Sequence, residues 1–154
     1  MKTLCALFVS LLTLAATAAN GPYNETADAH ADIKAALEQA SSANTPVVVV
    51  FGANWCGDCK MLDAQMTTGQ SAPLFAKDFK VVHVNVGRFD KNVDLADSYG
   101  VPLKRGIPSI AILSSGGKVL YSTKAGELSD ARKMGAQGVY DFLKRVTSDS
   151  LAKT

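Results

Sequence analysis

The chain is predicted to fold as an α/β domain with a central mixed sheet, finished by a C-terminal antiparallel hairpin and flanked by helices. Three observations carry this. Pro46 to Phe51 is an almost unbroken run of Val, the pattern of a strand buried on both faces. Segments with a helical period alternate with such apolar runs, the order expected of a layered α/β domain. Finally, Ser114-Ser115-Gly116-Gly117 joins two β-forming stretches through a connection too short for the crossover that a parallel pair needs.

Each element follows in order. Asp28 to Ser41 reads as a helix with Ile33, Ala36, Leu37 and Ala40 on one face. The Val-rich strand comes next, then a helix-like segment from Lys60 to Met66 and a short helix over Ser71 to Lys77 with Leu74 and Phe75 inward. Val81 to Val86 reads as a second strand, and Asn92 to Tyr99 as a helix ended by Gly100. Ile107 to Leu113 forms the next strand, with Pro108 near its start, and Val119 to Ser122 returns antiparallel. The last helix spans at least Gln137 to Val146, its apolar face made by Val139, Phe142, Leu143 and Val146.

Residues 1–19 read as a cleavable export signal. Lys2 supplies the positive charge, Leu4 to Ala15 the apolar stretch and Ala16-Thr17-Ala18 the small residues a signal peptidase needs. The apolar run falls short of the roughly 20 residues of a membrane-spanning helix. Cys5 lies too close to the start to be a lipidated cysteine behind a full hydrophobic region. Residues 20–154 then form one domain, expected to act as a monomer. Without Lys2 the 16 basic residues become 15 against 14 acidic ones, a balance that gives no reason to expect nucleic acid as a partner. Asn24-Glu25-Thr26 fits a glycosylation sequon, and the C-terminal Leu151-Ala152-Lys153-Thr154 is no ER-retention signal, so a periplasmic or secreted location is expected.

Removal of Cys5 leaves Cys56 and Cys59, both inside Trp55-Cys56-Gly57-Asp58-Cys59 and between a strand and a helix. Unpaired backbone N–H groups and the positive end of the helix dipole stabilise a thiolate there, so Cys56 should be a nucleophile near neutral pH. One closely spaced pair suits redox chemistry, whereas a secreted disulfide scaffold spreads four or more cysteines along the chain. A tetrahedral zinc site needs two further ligands, and His30 and His83 do not stand at finger-like spacing. Lys60 after Cys59 excludes a c-type haem attachment motif. No metal and no cofactor beyond the redox-active disulfide Cys56-Cys59 is expected.

Phe51, Ala53 and Trp55-Cys56-Gly57-x-Cys59-Lys60-Met61 resemble the active-site stretch of thioredoxins, and Arg105-Gly106-Ile107-Pro108 resembles that family's cis-proline segment. The resemblance runs from Pro46 to the C-terminus and implies the thioredoxin fold. It implies Cys56 as the attacking and Cys59 as the resolving cysteine, with Cys56 exposed and Cys59 shielded. It further implies a cis Ile107-Pro108 bond beside the dithiol, where the backbone before the proline pairs with an extended substrate segment. A trans proline opening an edge strand fits the residues alone as well. Trp55 has two compatible readings, bordering the groove to cover the disulfide and anchoring the loop against the domain, and Gly57 lets the turn between the cysteines relax as the disulfide forms and breaks.

The chain departs from that pattern at several positions. Asp58 stands where thioredoxins have proline. A carboxylate about 6 Å from the sulfur is worth about 1 kcal/mol after screening, about 20 mV of a two-electron couple. Asp58 therefore leans the pair toward a reductase without settling the direction, since thioredoxin and a strong oxidant of the fold differ by about 150 mV, and an acid in a first helical turn also stabilises the helix whatever the chemistry. Val50 occupies the place of the family's buried aspartate, and His83 aligns with a nearby lysine, making His83 a candidate proton acceptor for Cys59 as well as an ordinary strand histidine. Residues 87–104 form a longer segment than in thioredoxins, a solvated face or a docking rim. Residues 125–136 lengthen the connection to the last helix, with Ser129 and Asp130 as N-caps and no function assigned.

The expected function is that of an exported thiol-disulfide oxidoreductase that reduces protein disulfides and is itself re-reduced by a membrane thiol electron donor. A disulfide oxidase or isomerase of the same fold is the alternative, followed by a module that holds Cu(I) or Zn(II) through its thiols.

Overall fold

The computed structural model describes residues 21–153. The export signal expected over residues 1–19, with Lys2 and Cys5, lies outside the described residues.

The first helix, α1 (Ala29–Ala43), is capped by Asp28, whose carboxylate accepts the Ala31 N–H at 3.1 Å, and it ends at Asn44 in the left-handed conformation. Ile33 and Ala40 from its apolar face are buried, as the period requires. Strand β1 (Val47–Gly52) follows, and Val47 to Phe51 have no solvent exposure at all. Helix α2 (Gly57–Thr67) begins three residues before the expected start, because Cys56 itself serves as its N-cap. Helix α3 (Ala72–Asp78) leads into β2 (Lys80–Asn85), and α4 (Val93–Ser98) is followed by a 3-10 turn at Leu103–Arg105. Strands β3 (Ser109–Leu113) and β4 (Val119–Ser122) form the hairpin, closed by the Gly117 N–H to the Ser114 carbonyl at 2.9 Å. The last helix, α5 (Ala131–Leu151), starts six residues before the minimum that the sequence sets.

The sheet order is β2-β1-β3-β4. Among the described residues parallel pairing is confined to β1 and β2, with Val50 opposite His83; β3 joins the other edge of β1 antiparallel and β4 pairs antiparallel with β3. Helix α1 packs on β1 and β2, while α2 packs against α5. With β1 enclosed on both faces, the end of this strand and the start of α2 become the fixed point from which the functional loop projects.

The extension 125–136 is structural as well as connecting. Leu128 and Ala131 have no exposure, so it inserts two side chains into the core. Its last turn, Ala131 to Met134, is set off from the rest of α5 by Gly135, whose φ of 69° and ψ of 175° break the helical path. At the other end of the chain, Tyr23 is buried and pinned reciprocally by Asn54: Tyr23 N–H donates to Asn54 Oδ1 at 3.1 Å and Asn54 Nδ2 to the Tyr23 carbonyl at 2.7 Å.

Candidate active site

Cys56 and Cys59 are joined in a disulfide, with Cα atoms 5.2 Å apart. Because Cys56 caps α2, the Cys59 backbone N–H donates to its sulfur at 3.1 Å. One of the free amides of the helix start is therefore aimed at Sγ, the arrangement that stabilises a thiolate on this residue. Cys59, one turn in, has no solvent exposure, and Cys56 retains 5 %. Cys56 is more enclosed than the sequence implies, because the oxidised pair tucks its sulfur 3.7 Å from the Ile107 carbonyl oxygen. The Ile107-Pro108 peptide bond is cis, both residues are buried, and the segment lies directly beside the dithiol.

Trp55 is half exposed and held from one side. Its indole N–H donates to the Gly87 carbonyl at 2.8 Å, its ring meets Phe89 edge-on at 6.1 Å, and the Arg88 guanidinium stands 6.0 Å from the ring centre. These contacts anchor the indole, and its half-exposed face leaves it able to border a groove as well. The start of the 87–104 segment thereby becomes a wall next to the cysteines. It is built on a tight turn in which the Val86 carbonyl accepts N–H groups from Phe89, Asp90 and Lys91. Phe89 sits there at a φ of 66°, unfavourable for an aromatic residue, with its ring 43 % exposed. An open cleft of about 420 Å³ continues from it past Val93, Leu103 and Gly106.

Asp58 is not a free carboxylate. The Arg132 backbone N–H and Nε donate to Oδ1 at 2.9 and 3.2 Å, and Nη2 donates to Oδ2 at 3.1 Å. These bonds hold the Asp58 carboxyl below its usual range, the side-chain bonds from Arg132 being the largest cause. Its charge is largely compensated, so the lean toward a reductase expected from Asp58 loses most of its physical basis. Arg132 lies in the extension to which sequence reasoning assigned no function. An Arg two residues beyond a candidate helix cap was the available signal, but nothing in the sequence fixes where that turn lies.

His83 faces Asp63 of α2 and Tyr23. Its Nε2 lies 3.1 Å from Asp63 Oδ1, close enough for an ion pair although bent away from hydrogen-bond alignment, and its ring meets Tyr23 edge-on at 5.3 Å. Burial pushes its pKa down, opposed in part by Asp63. The Cys56 sulfur accepts the Cys59 N–H and, carrying no proton in the disulfide, only abuts the Ile107 carbonyl oxygen, while His83 is engaged with Asp63 and Tyr23. Among the described residues no group of three or more His, Cys, Asp and Glu side chains is gathered for a metal ion.

A mixed sheet that delivers a CxxC pair to the N-terminus of a helix, with a proline segment against the first sulfur, defines a dithiol–disulfide exchange domain. The sequence profile described as Thioredoxin-like matches residues 28–115, and the chain belongs to that family. It is similar to the thioredoxin of Griffithsia pacifica, with 37 % identity over 82 residues, 53 % of this chain and 68 % of that one. It also matches a protein disulfide-isomerase of Datisca glomerata, 34 % identical over 100 residues, 64 % of this chain and 18 % of the relative. Among solved structures, the disulphide isomerase from Xylella fastidiosa Temecula1 superposes with a TM-score of 0.78 at 46 % identity, over 82 % of this chain and 97 % of that one. These relatives and the Cys56–Cys59 disulfide make the protein a thiol-disulfide oxidoreductase.

Proposed function

We propose that the protein is an exported oxidoreductase, periplasmic or secreted, that reduces protein disulfides. The observation that carries the reading is the Cys59 N–H aimed at Cys56 Sγ, with Cys59 itself sealed from solvent. In the reduced protein the Cys56 thiolate attacks one sulfur of a substrate disulfide, forming a Cys56–substrate bond and releasing the other substrate sulfur as a thiolate that takes a proton. The Cys59 thiol then gives up its proton and its sulfur attacks Cys56, displacing the second substrate sulfur. The substrate gains two electrons, and the Cys56–Cys59 disulfide that remains must be re-reduced, for which we assign a membrane thiol electron donor. The Ile107 backbone beside the sulfur offers an extended substrate segment its pairing edge, and the Trp55–Phe89 wall bounds the groove on the other side.

The test is a pair of variants with a measured potential. Cys56→Ser abolishes disulfide reduction, and Cys59→Ser traps substrates as mixed disulfides on Cys56; a Cys56→Ser protein of undiminished activity would sink the reading. An equilibrium potential in glutathione buffers near about −270 mV supports reduction as the direction, and one near about −120 mV reverses it.

A second reading, disulfide isomerase or oxidase, is favoured by one specific observation. Arg132 removes most of the bias that an uncompensated Asp58 would give toward a reductase. The isomerase named for the Xylella fastidiosa structure accords with it. The same potential measurement separates the two.

A further inference from the structure

Asp58 occupies a position between the two cysteines, and Arg132 reaches it from the first turn of α5. Two features put the guanidinium there. Gly135 turns Ala131–Met134 away from the path of α5, and Gly57 leaves the space above the motif open: a Cβ at Gly57 would stand 3.0 Å from the Arg132 Cζ. The guanidinium therefore lies over the peptide that joins the two sulfurs. Its side chain is 66 % exposed, so packing is not what holds it; the paired bonds to Asp58 are.

A negative and a positive group are thus fixed together over Gly57 and Asp58, the two residues between the cysteines, one and two positions from the residue that carries the developing sulfur charge. Among the described residues, the contacts of the Asp58 carboxylate to other residues all run to Arg132. Of the remaining charges on the surrounding elements, Asp130 and Lys133 border the same shallow depression as Asp58 and Arg132, one of each sign, and the others are engaged elsewhere or exposed. Lys60 is exposed on α2, Asp63 pairs with His83 of β2, Arg88 stands against Trp55, Lys104 and Arg105 are exposed in the 3-10 turn, and Asp130 and Lys133 flank Arg132.

We propose that Asp58 and Arg132 form a compensated charge pair that sets the reactivity of Cys56, with Arg132 a positioning residue that cancels at the sulfur the field of the carboxylate it holds. The inference rests on the dithiol-exchange reading and adds to it the group that poises the nucleophile. Removing Arg132 leaves the carboxylate uncompensated and disfavours the Cys56 thiolate; removing the Asp58 charge leaves the cation and favours it. A stabilised thiolate stabilises the reduced protein, so the same changes make the pair a stronger reductant in the first case and a stronger oxidant in the second.

The experiment uses the mature chain and the variants Asp58→Asn, Arg132→Gln, Arg132→Lys and the double Asp58→Asn/Arg132→Gln. The pH dependence of alkylation at Cys56 by iodoacetamide and the equilibrium with glutathione are measured for each. Asp58→Asn should raise the thiolate fraction at neutral pH about threefold and Arg132→Gln lower it about threefold. A threefold change in the equilibrium constant corresponds to about 14 mV, of opposite sign in the two variants. The double variant should return to the wild-type value, and Arg132→Lys, which keeps the charge, should stay near it. Shifts of the same sign in both single variants, no shift in either, or a double variant that stays displaced would overturn the proposal, since a merely structural clamp moves both singles one way. Alkylation that falls on Cys59 with Cys56 inert would instead overturn the dithiol-exchange reading itself.

Discussion

His83 Nε2 lies 3.1 Å from Asp63 Oδ1, so the strand residue that pairs opposite Val50 is joined electrostatically to the helix that carries the cysteines. In thioredoxins, by the resemblance, a buried aspartate occupies the Val50 position and a lysine the His83 position. Here Val50 and His83 stand at those positions, and a carboxylate beside the imidazole comes from α2. The pair sits beside the buried Tyr23, whose hydroxyl burial and, secondarily, the Asp63 charge keep protonated.

The position of His83 gives stability a pH dependence of known sign. Burial lowers its folded-state pKa below the ordinary value of about 6.5, so the unfolded chain binds the proton more readily. Stability from this residue is complete above the unfolded value and is lost as pH falls through it toward the folded value. Urea unfolding across this range should show a midpoint that drops with acidification. His83→Gln should flatten the drop, and Asp63→Asn, which removes the opposing attraction, should steepen it. Resolution of a mixed disulfide by Cys59 should be little changed in His83→Gln, because the imidazole meets Asp63 and Tyr23 and not a sulfur.

Phe89 combines an exposed ring with a left-handed backbone, two unfavourable features that the fold does not need. Asn tolerates that backbone, so Phe89→Asn should hold stability within about 0.5 kcal/mol or raise it. Loss of the wall beside Trp55 should weaken the use of folded protein disulfides, seen as a KM several times higher, while the reduction of small disulfides and the potential stay the same. Equal losses on both substrate classes would show that the ring serves the loop and not the substrate.

The elements with strong periodicity were legible in the sequence for a physical reason. The Val run, the amphipathic faces of α1 and α5 and the Gly116-Gly117 turn each answer to local constraints that their own residues state. The cysteine pair was legible because its chemistry depends on a strand-to-helix junction that can be read locally. Arg132, Tyr23 and Asp63 were not, since their roles arise from contacts between residues far apart in the chain, such as Asp58 with Arg132. The antiparallel join of β1 and β3 is likewise a fact of topology, invisible in the pattern of either strand.

Leu128 turns the unassigned 125–136 segment into part of the core. Truncating a fully enclosed leucine loses its transfer free energy and leaves a cavity, so Leu128→Ala should cost about 2–5 kcal/mol in chemical denaturation. It should also loosen the turn that presents Arg132, moving the potential in the direction of Arg132→Gln. A variant destabilised by less than about 1 kcal/mol would mean that the segment is a surface loop, contrary to its burial.

Gly126 ties the same segment to the proline strand. Its φ is 78°, and a Cβ there would collide with the Arg105 carbonyl oxygen, a backbone atom that cannot rotate away. Gly126→Ala therefore carries a left-handed penalty of about 1 kcal/mol as well as a forced movement of the chain around Arg105, immediately before Gly106, Ile107 and Pro108. Stability should fall by more than that penalty alone. Since the Ile107 carbonyl lies 3.7 Å from Cys56 Sγ, the displacement should reach the dithiol and slow exchange with protein substrates even under conditions where the variant is fully folded. Turnover of a protein disulfide, measured beside circular dichroism at the same temperature, checks both halves. A folded variant with wild-type turnover would show that the 3-10 turn absorbs the shift before it reaches Ile107.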